Sequence, residues 1–500
     1  MKQHEIKTLG ELKKSGYQSR SIKQELRDNL IKQLKNKEVG FEGIIGYEDT
    51  VIPDLQTAIL SQHNILLLGL RGQAKTRIAR LMVNLLDEYI PYVYDSELYD
   101  DPLNPISWFA REQLEKHGDD TPIAWLHRDE RYTEKLATPD VTVADLIGDV
   151  DPIKAASLKL HYSDERVIHY GLIPRAHRSI FVINELPDLQ ARIQVALFNI
   201  LQEKDIQIRG FKLRLPLDVQ FVFTANPEDY TNRGSIVTPL KDRIESQILT
   251  HYPRSVEISR KITQQEARLT EEQIISVESD GLVKDLIEQI AFEARNSEYI
   301  DKKSGVSARL TITAYENLIS TAERRMLINN EERTFVRISD FLGVIPAITG
   351  KIELVYEGEQ EGPAKVANIL VGKAIKSLMS QYFPDPEKLK RSKTTSPYTE
   401  ITGWFGMGNS ISIVDDLSET EYSSILNSVP GLRDLVKLFH PTLINSQQLL
   451  LMEFLLHGLS EFSQVSKSYL DNGYAFKDML GSLFNAKFDE DDDDDDFDNR

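Results

Sequence analysis

The residues Gly69-Leu70-Arg71-Gly72-Gln73-Ala74-Lys75-Thr76 follow the spacing G-x-x-x-x-G-K-[ST] except at one place, where Ala74 stands for the second glycine. A loop of this kind turns backbone N–H groups toward one point and opens a helix, so it can cradle phosphate oxygens. In it Lys75 reaches the β/γ oxygens of a nucleotide and Thr76 offers a hydroxyl to Mg²⁺. Alanine is the smallest residue with a Cβ, so a close backbone approach is strained least by this exchange. With Arg77 directly behind, the expected nucleotide-binding set is Gly69, Gly72, Gln73, Ala74, Lys75, Thr76 and Arg77. The expected cofactors are ATP and Mg²⁺.

A phosphate loop alone does not hydrolyse anything. Hydrolysis needs an oriented water, and an acid at the end of a neighbouring strand to hold the metal. The apolar run SIFVIN ends in Asn184-Glu185. Glu185 is suited to polarising an attacking water. Asn184 stands where an aspartate would give the metal negative charge; an amide accepts a hydrogen bond but brings none. A third apolar run ends FTANP, with Asn226 at its tip, where an amide can hold the lytic water and sense the γ-phosphate. Downstream, PLKDRI carries Arg243 on a surface helix, from which it can reach a neighbouring subunit's phosphate, with Arg233 as the alternative. Arg309, opening a later helix after GVSAR, can touch the same nucleotide in cis.

These residues need a scaffold. The run Asn64–Leu70 has the length and boundaries of a buried strand, and the loop follows it directly. A helix over Lys75–Tyr89 comes next, with Ile78, Leu81, Met82, Leu85 and Leu86 on its apolar positions. Ser179–Asn184 and Val219–Ala225 are two further buried strands. Between them Leu189, Ile193, Leu197 and Ile200 fall on one helix face. Strands separated by helices imply an α/β fold with a parallel sheet covered on both faces.

Residues 18–37 read as a charged helix. Beyond Tyr252 the strand signals fade, and segments 257–270, 283–297, 308–327, 338–354 and 363–381 read as helices. The polar, proline-bearing stretch 384–402 reads as a linker. The expected divisions are therefore an N-terminal helical segment (1–40), a nucleotide-binding core (41–255) and a helical lid (256–383). A linker or exposed loop (384–409), a mostly helical C-terminal region (410–486) and an acidic disordered tail (487–500) complete them.

Composition narrows the function classes. The net charge is -19, which opposes nucleic-acid binding. Nine of the negatives sit in residues 489–498, DEDDDDDDFD, a density that repels itself and stays unfolded. No apolar run approaches the roughly 20 residues needed to span a bilayer. The N-terminus has no apolar block behind its charges, so it is not read as a secretion signal. The absence of cysteine excludes disulfides, thiolate metal sites and cysteine nucleophiles, and it suits a cytoplasmic protein.

GLRGQAKT resembles the phosphate loop of the MoxR family, which also has alanine before its lysine. YGLIPRAHRSIFVINELPDL resembles the magnesium-chelatase I-subunit stretch that runs into its Walker B strand. LQARIQVALFNILQEKDIQIRG and FTANPEDYTNRGSIVTPLKDRI are similar to the helix-hairpin and to the sensor 1 strand with arginine-finger helix of both families. The resemblance covers about residues 40–325. It implies a P-loop AAA+ ATPase core with a helical lid, with Lys75 and Thr76 on phosphate and Mg²⁺ and Glu185 activating water. It further implies Asn226 as sensor 1, Arg243 as finger and Arg309 as sensor 2. It implies a ring, usually of six subunits, and a partner with a von Willebrand A domain. Three functions fit it: a MoxR-like chaperone that remodels a partner, a magnesium-chelatase subunit driving Mg²⁺ into protoporphyrin, or a slowly hydrolysing nucleotide-sensing scaffold. Asn184 in place of the Walker B aspartate departs from the pattern.

Overall fold

The computed structural model describes residues 5–38, 40–161, 164–208, 214–227, 235–392 and 396–479. The acidic tail and Arg233 lie outside them. The chain divides into two compact units, Met1–Tyr252 and Pro253–Arg500.

The first unit is an α/β layer structure. Five parallel strands form its sheet: β1 (Ile65–Leu68), β2 (Tyr132–Leu136), β3 (Ser179–Asn184), β4 (Val219–Ala225) and β5 (Ser246–Leu249), in the spatial order β5-β1-β4-β3-β2. The three central strands, β1, β4 and β3, are those read from the sequence. Their side chains are buried almost throughout because helices cover both faces. On one face α1 (Ile22–Asn36), α2 (Val51–Leu60) and α3 (Lys75–Leu81) bury Leu26, Leu30, Leu55, Ile59 and Ile78 against Ile65, Leu67, Val182 and Val222. On the other, α4 (Ala191–Glu203) sets Ile193, Leu197 and Ile200 among Phe181, Phe221 and Phe223.

Two expectations need correction. The helix predicted over Lys75–Tyr89 ends at Leu81, continues as a 3₁₀ turn over Met82–Leu85, and Tyr89 opens a strand. Leu86 is extended (φ -85°, ψ 153°), which stops the helix while its apolar neighbours stay buried. Residues 384–409 are not an exposed linker throughout: Pro386–Ser392 and Thr399–Gly406 are helical, and Tyr398, Ile401 and Phe405 are buried. The C-terminal region, expected to be mostly helical, carries three helices among its described residues and adds a small sheet. Ile411–Val414, Ser466–Leu470 and Gly473–Lys477 form a three-stranded antiparallel sheet.

The second unit is mainly helical. α5 (Arg309–Ile328), α6 (Pro363–Tyr382) and α7 (Asn445–Glu461) share one apolar core that runs from Val277 to Phe476. Two of its buried charged groups are well partnered. Arg325 pairs with Asp340 at 2.9 Å, and Glu453 accepts from the backbone of Ile338 and Ser339 and from the Tyr422 hydroxyl. Among the described residues no helix is long and apolar enough to cross a membrane.

Candidate functional site

Every strand of a parallel sheet points its carboxyl end the same way, and loops leaving those ends meet along one edge. Here that edge gathers Gly69 after β1, Asn184-Glu185 at the end of β3, Asn226 after β4 and Thr250 after β5. The register sets them side by side: Leu68 pairs with Ala225 on β4 and with Leu249 on β5, and Ile183 pairs with Phe223.

The loop Gly69–Ala74 starts from β1 with the Gly69 N–H donating to Ala225 O at 3.2 Å. A Cβ on Gly69 would lie 2.0 Å from Thr250 Oγ1 and 2.2 Å from Gln73 Oε1, so any larger residue would push this pair aside. Gly72 has φ 72°, and Ala74, the residue before α3, has φ 57° and ψ 15°. This left-handed backbone is the reason a glycine commonly stands there. Alanine carries it at a cost of roughly 1–2 kcal/mol. The strain at Ala74 is therefore torsional, where the sequence suggested a steric approach.

Three residues outside the loop hold its shape. The Thr250 hydroxyl donates to the buried Gln73 Oε1 at 2.7 Å. The Tyr47 hydroxyl lies 2.7 Å from His251 O and 3.1 Å from Gln73 O. Burial pushes its pKa up to about 12, so it stays a neutral donor. The Tyr252 hydroxyl donates to Arg71 O at 3.0 Å. None of the three was legible as part of the site, because each lies far along the chain from Gly69–Thr76.

Lys75 is buried, and its ammonium donates to the carbonyls of Gly69 and Leu70. Thr76 Oγ1 lies 3.4 Å from Asn184 Oδ1. That oxygen also accepts from Thr224 Oγ1 at 3.1 Å, and Thr224 in turn accepts from the Glu185 N–H at 3.1 Å. Glu185 itself is left-handed (φ 56°). Asn226 is 3% exposed, and its Oδ1 has no hydrogen-bond partner among the described residues. A buried, unmatched amide oxygen is costly unless something else uses it. An ammonium, a hydroxyl and two amides on one edge form a donor set suited to an anionic, phosphate-bearing ligand.

Within the first unit, the sequence-derived residues are not all brought together. Lys75, Thr76, Asn184, Glu185 and Asn226 share the edge, and Arg77 follows on the first turn of α3. Arg243 follows the short helix Thr238–Asp242, and its guanidinium donates to Gln202 Oε1 (2.8 and 3.0 Å) and Pro239 O (2.7 Å). It also lies 5.2 Å from the centre of the Phe198 ring on α4. Arg309 opens α5 in the second unit, exposed. Another residue of this edge not read from the sequence is Thr224, which bonds to both Asn184 and Glu185. A polar side chain inside the buried run VQFVFTA was the signal available for it, since burial obliges a hydroxyl to find partners.

Residues 161–248 match the family model of the Sigma-54 interaction domain. The match contains Asn184, Glu185, Asn226 and Arg243 but not the phosphate loop. Among solved structures, NtrX from Brucella abortus is 12% identical over 58% of this chain, with a TM-score of 0.31. This chain spans 55% of the length of NtrX. A complex between subunits BchI and BchD of magnesium chelatase gives 19% identity over 64% of this chain and 98% of that one, with a TM-score of 0.32. Hsp104 with ATPγS and FITC casein gives 13% identity over 62% of this chain and 50% of that one, with a TM-score of 0.36.

Proposed function

We propose that the carboxyl edge of the first unit's sheet binds ATP with Mg²⁺ and hydrolyses it, and that the chain is a ring-forming AAA+ ATPase that remodels a partner protein. The observation that carries this reading is the convergence, on one edge, of the Gly69–Thr76 loop, Asn184-Glu185 and the Asn226 oxygen, which has no partner among the described residues. The Sigma-54 interaction domain match over residues 161–248 supports it independently of the loop.

In this reading Lys75 leaves the carbonyls of Gly69 and Leu70 and neutralises phosphate oxygens. Thr76 and, through it, Asn184 would hold Mg²⁺, which would supply charge neutralisation to the phosphates. Glu185 takes a hydrogen bond from the attacking water, and Asn226 fixes that water with its unmatched amide oxygen. Asn184 contributes an oriented dipole without charge, so metal retention is weaker than a carboxylate would give. That feature favours, as a second reading, a sensor that binds ATP and turns it over slowly. Arg243 completes the transition state of a neighbouring subunit, Arg309 acts as sensor 2, the ring is a hexamer, and a von Willebrand A domain protein is the client. The setting is the cytoplasm.

The test pairs two variants. Lys75→Ala is expected to weaken ATP binding roughly 10- to 100-fold, the worth of hydrogen bonds to a charged group. Glu185→Gln is expected to bind ATP as the wild type does while phosphate release falls by roughly 100-fold. Wild-type affinity in the first, or wild-type turnover in the second, would remove the assignment it tests.

A further inference from the structure

Resting on the ATPase reading above, we infer that Thr224 is a positioning residue that sets the orientation of both Asn184 and Glu185. The geometry is a short relay. The Glu185 N–H donates to Thr224 Oγ1 (3.1 Å), which leaves the single hydroxyl hydrogen of Thr224 to donate to Asn184 Oδ1 (3.1 Å). Thr224 is 1% exposed on β4, one residue beyond the last registered pair of β4 with β3. One hydroxyl therefore ties the strand that carries Asn226 to the strand that carries Asn184 and Glu185.

Two consequences follow from the direction of the bonds. An asparagine amide can present either its oxygen or its NH₂ toward Thr76, and only the oxygen can help hold a cation. Thr224 donates, so it selects the oxygen on that side. Thr76 donates to the same atom at 3.4 Å, a long bond that would not fix the amide by itself. The second consequence concerns Glu185, whose left-handed backbone (φ 56°) is unfavourable for a residue with a side chain. Its N–H bond to Thr224 helps to hold that turn, and with it the direction in which the carboxylate leaves the strand. With aspartate at 184, charge alone would draw the metal side into register. With asparagine, orientation has to do so, and the hydroxyl of Thr224 supplies it.

Three full-length proteins test this: wild type, Thr224→Val and Thr224→Ser. Valine keeps the β-branched shape in the buried strand and removes the hydroxyl, while serine keeps the hydroxyl. The readouts are kcat, KM, ATP affinity in excess EDTA, and the Mg²⁺ concentration giving half-maximal turnover. Thr224→Val is expected to lose roughly 10- to 100-fold in kcat, as misplaced groups do. Its half-maximal Mg²⁺ concentration should rise several-fold, with metal-free ATP affinity within about twofold of wild type. Thr224→Ser should recover most of both losses. Wild-type kcat and Mg²⁺ dependence in Thr224→Val would overturn the inference while leaving the ATPase reading intact. Equal losses in the valine and serine variants would overturn it too, by showing that shape rather than the hydroxyl matters. A wild type that hydrolyses no ATP would instead remove the ATPase reading, and this inference with it. Should the valine variant not fold, Thr224→Ala against Thr224→Ser draws the same contrast.

Discussion

The two ends of the sheet in the first unit are built on opposite terms. At the amino end, polar groups satisfy one another. Arg131, just before β2, sets both terminal nitrogens 2.7 Å from the two oxygens of Glu25 on α1, and its Nε donates to Arg178 O. Asp218, before β4, accepts from the N–H of Ile22 at 2.7 Å, and its own N–H donates to His177 Nδ1 at 3.1 Å. The N–H of Asn64, before β1, donates to Glu245 Oε2 at 2.8 Å, and its Oδ1 accepts from the Phe221 N–H at 3.2 Å. At the carboxyl end, the buried Asn226 oxygen has no partner among the described residues, and Lys75 rests on carbonyls of its own loop. A fully matched network stabilises and specifies a fold, and an incompletely matched one keeps its bonding capacity for a ligand. Burial alone does not tell these ends apart; partner matching does.

The sharpest way to break that contrast is to unmatch the amino end. Arg131→Met leaves the Glu25 carboxylate buried with its ion pair gone. The expected cost is roughly 3–5 kcal/mol of stability, the usual consequence of stranding one member of a buried pair. ATP affinity of the folded fraction should not change, because nothing at the carboxyl edge touches this pair. Chemical denaturation and equilibrium ATP binding on the same sample check it. A folded Arg131→Met that binds ATP poorly would mean that the two ends are one coupled network.

The two ends also differ in how far the sequence reveals them. Strands β1, β3 and β4 are legible as apolar runs because they are central and covered on both faces. β2 (YTEKL) and β5 (SQIL) are edge strands, exposed on part of their surface, and their polar residues hide them. Lys75, Thr76, Asn184, Glu185 and Asn226 are legible because loop spacing and strand tips mark them. The amino-end network is not, since Glu25 and Arg131 lie on different elements and no local pattern joins them. The same limit misread 384–409. Proline and polar residues suggested a linker, whereas Pro386 starts a helix and Tyr398, Ile401 and Phe405 bury themselves in the core of the second unit.

A second measurement sharpens the contrast through pH. His177 is almost fully buried at the amino end, and burial, reinforced by the Arg178 charge, lowers its pKa to about 4; Asp100 and Asp101 pull the other way. Unfolded, a histidine binds its proton below about pH 6.5. Between those values the unfolded chain takes up a proton that the native state refuses, so stability falls as the pH drops from 6.5 toward 4. The full contribution is present above 6.5, and at most roughly 3 kcal/mol is lost on acidification. Asp218, raised by the same burial, contributes an opposite slope, so the informative quantity is the difference between wild type and His177→Asn. Asparagine can still accept the Asp218 N–H but cannot titrate. Denaturation curves at pH 7.5 and 5 should show a smaller drop in the variant; equal drops would place the acid sensitivity elsewhere.

The smallest expected effect lies at the carboxyl end and concerns Ala74. Its φ of 57° puts a residue with a Cβ in the left-handed region immediately before α3. Replacing it with glycine removes that torsional cost but gives the unfolded chain more freedom, and the two terms oppose each other. The relief is the larger of the two, so Ala74→Gly should stabilise the first unit by roughly 0.5–1 kcal/mol. The loop's fastening to Thr250, Tyr47 and Tyr252 runs through Gln73 and Arg71, which the change leaves alone. ATP affinity should therefore stay within about twofold. Thermal melting with and without nucleotide separates the outcomes. A raised melting point with unchanged affinity would mean that the loop tolerates strain that binding does not need. A glycine variant that binds ATP markedly better would mean that the strained alanine is opposing the bound conformation. In that case the open end of the sheet would be under torsional as well as hydrogen-bond tension before any ligand arrives.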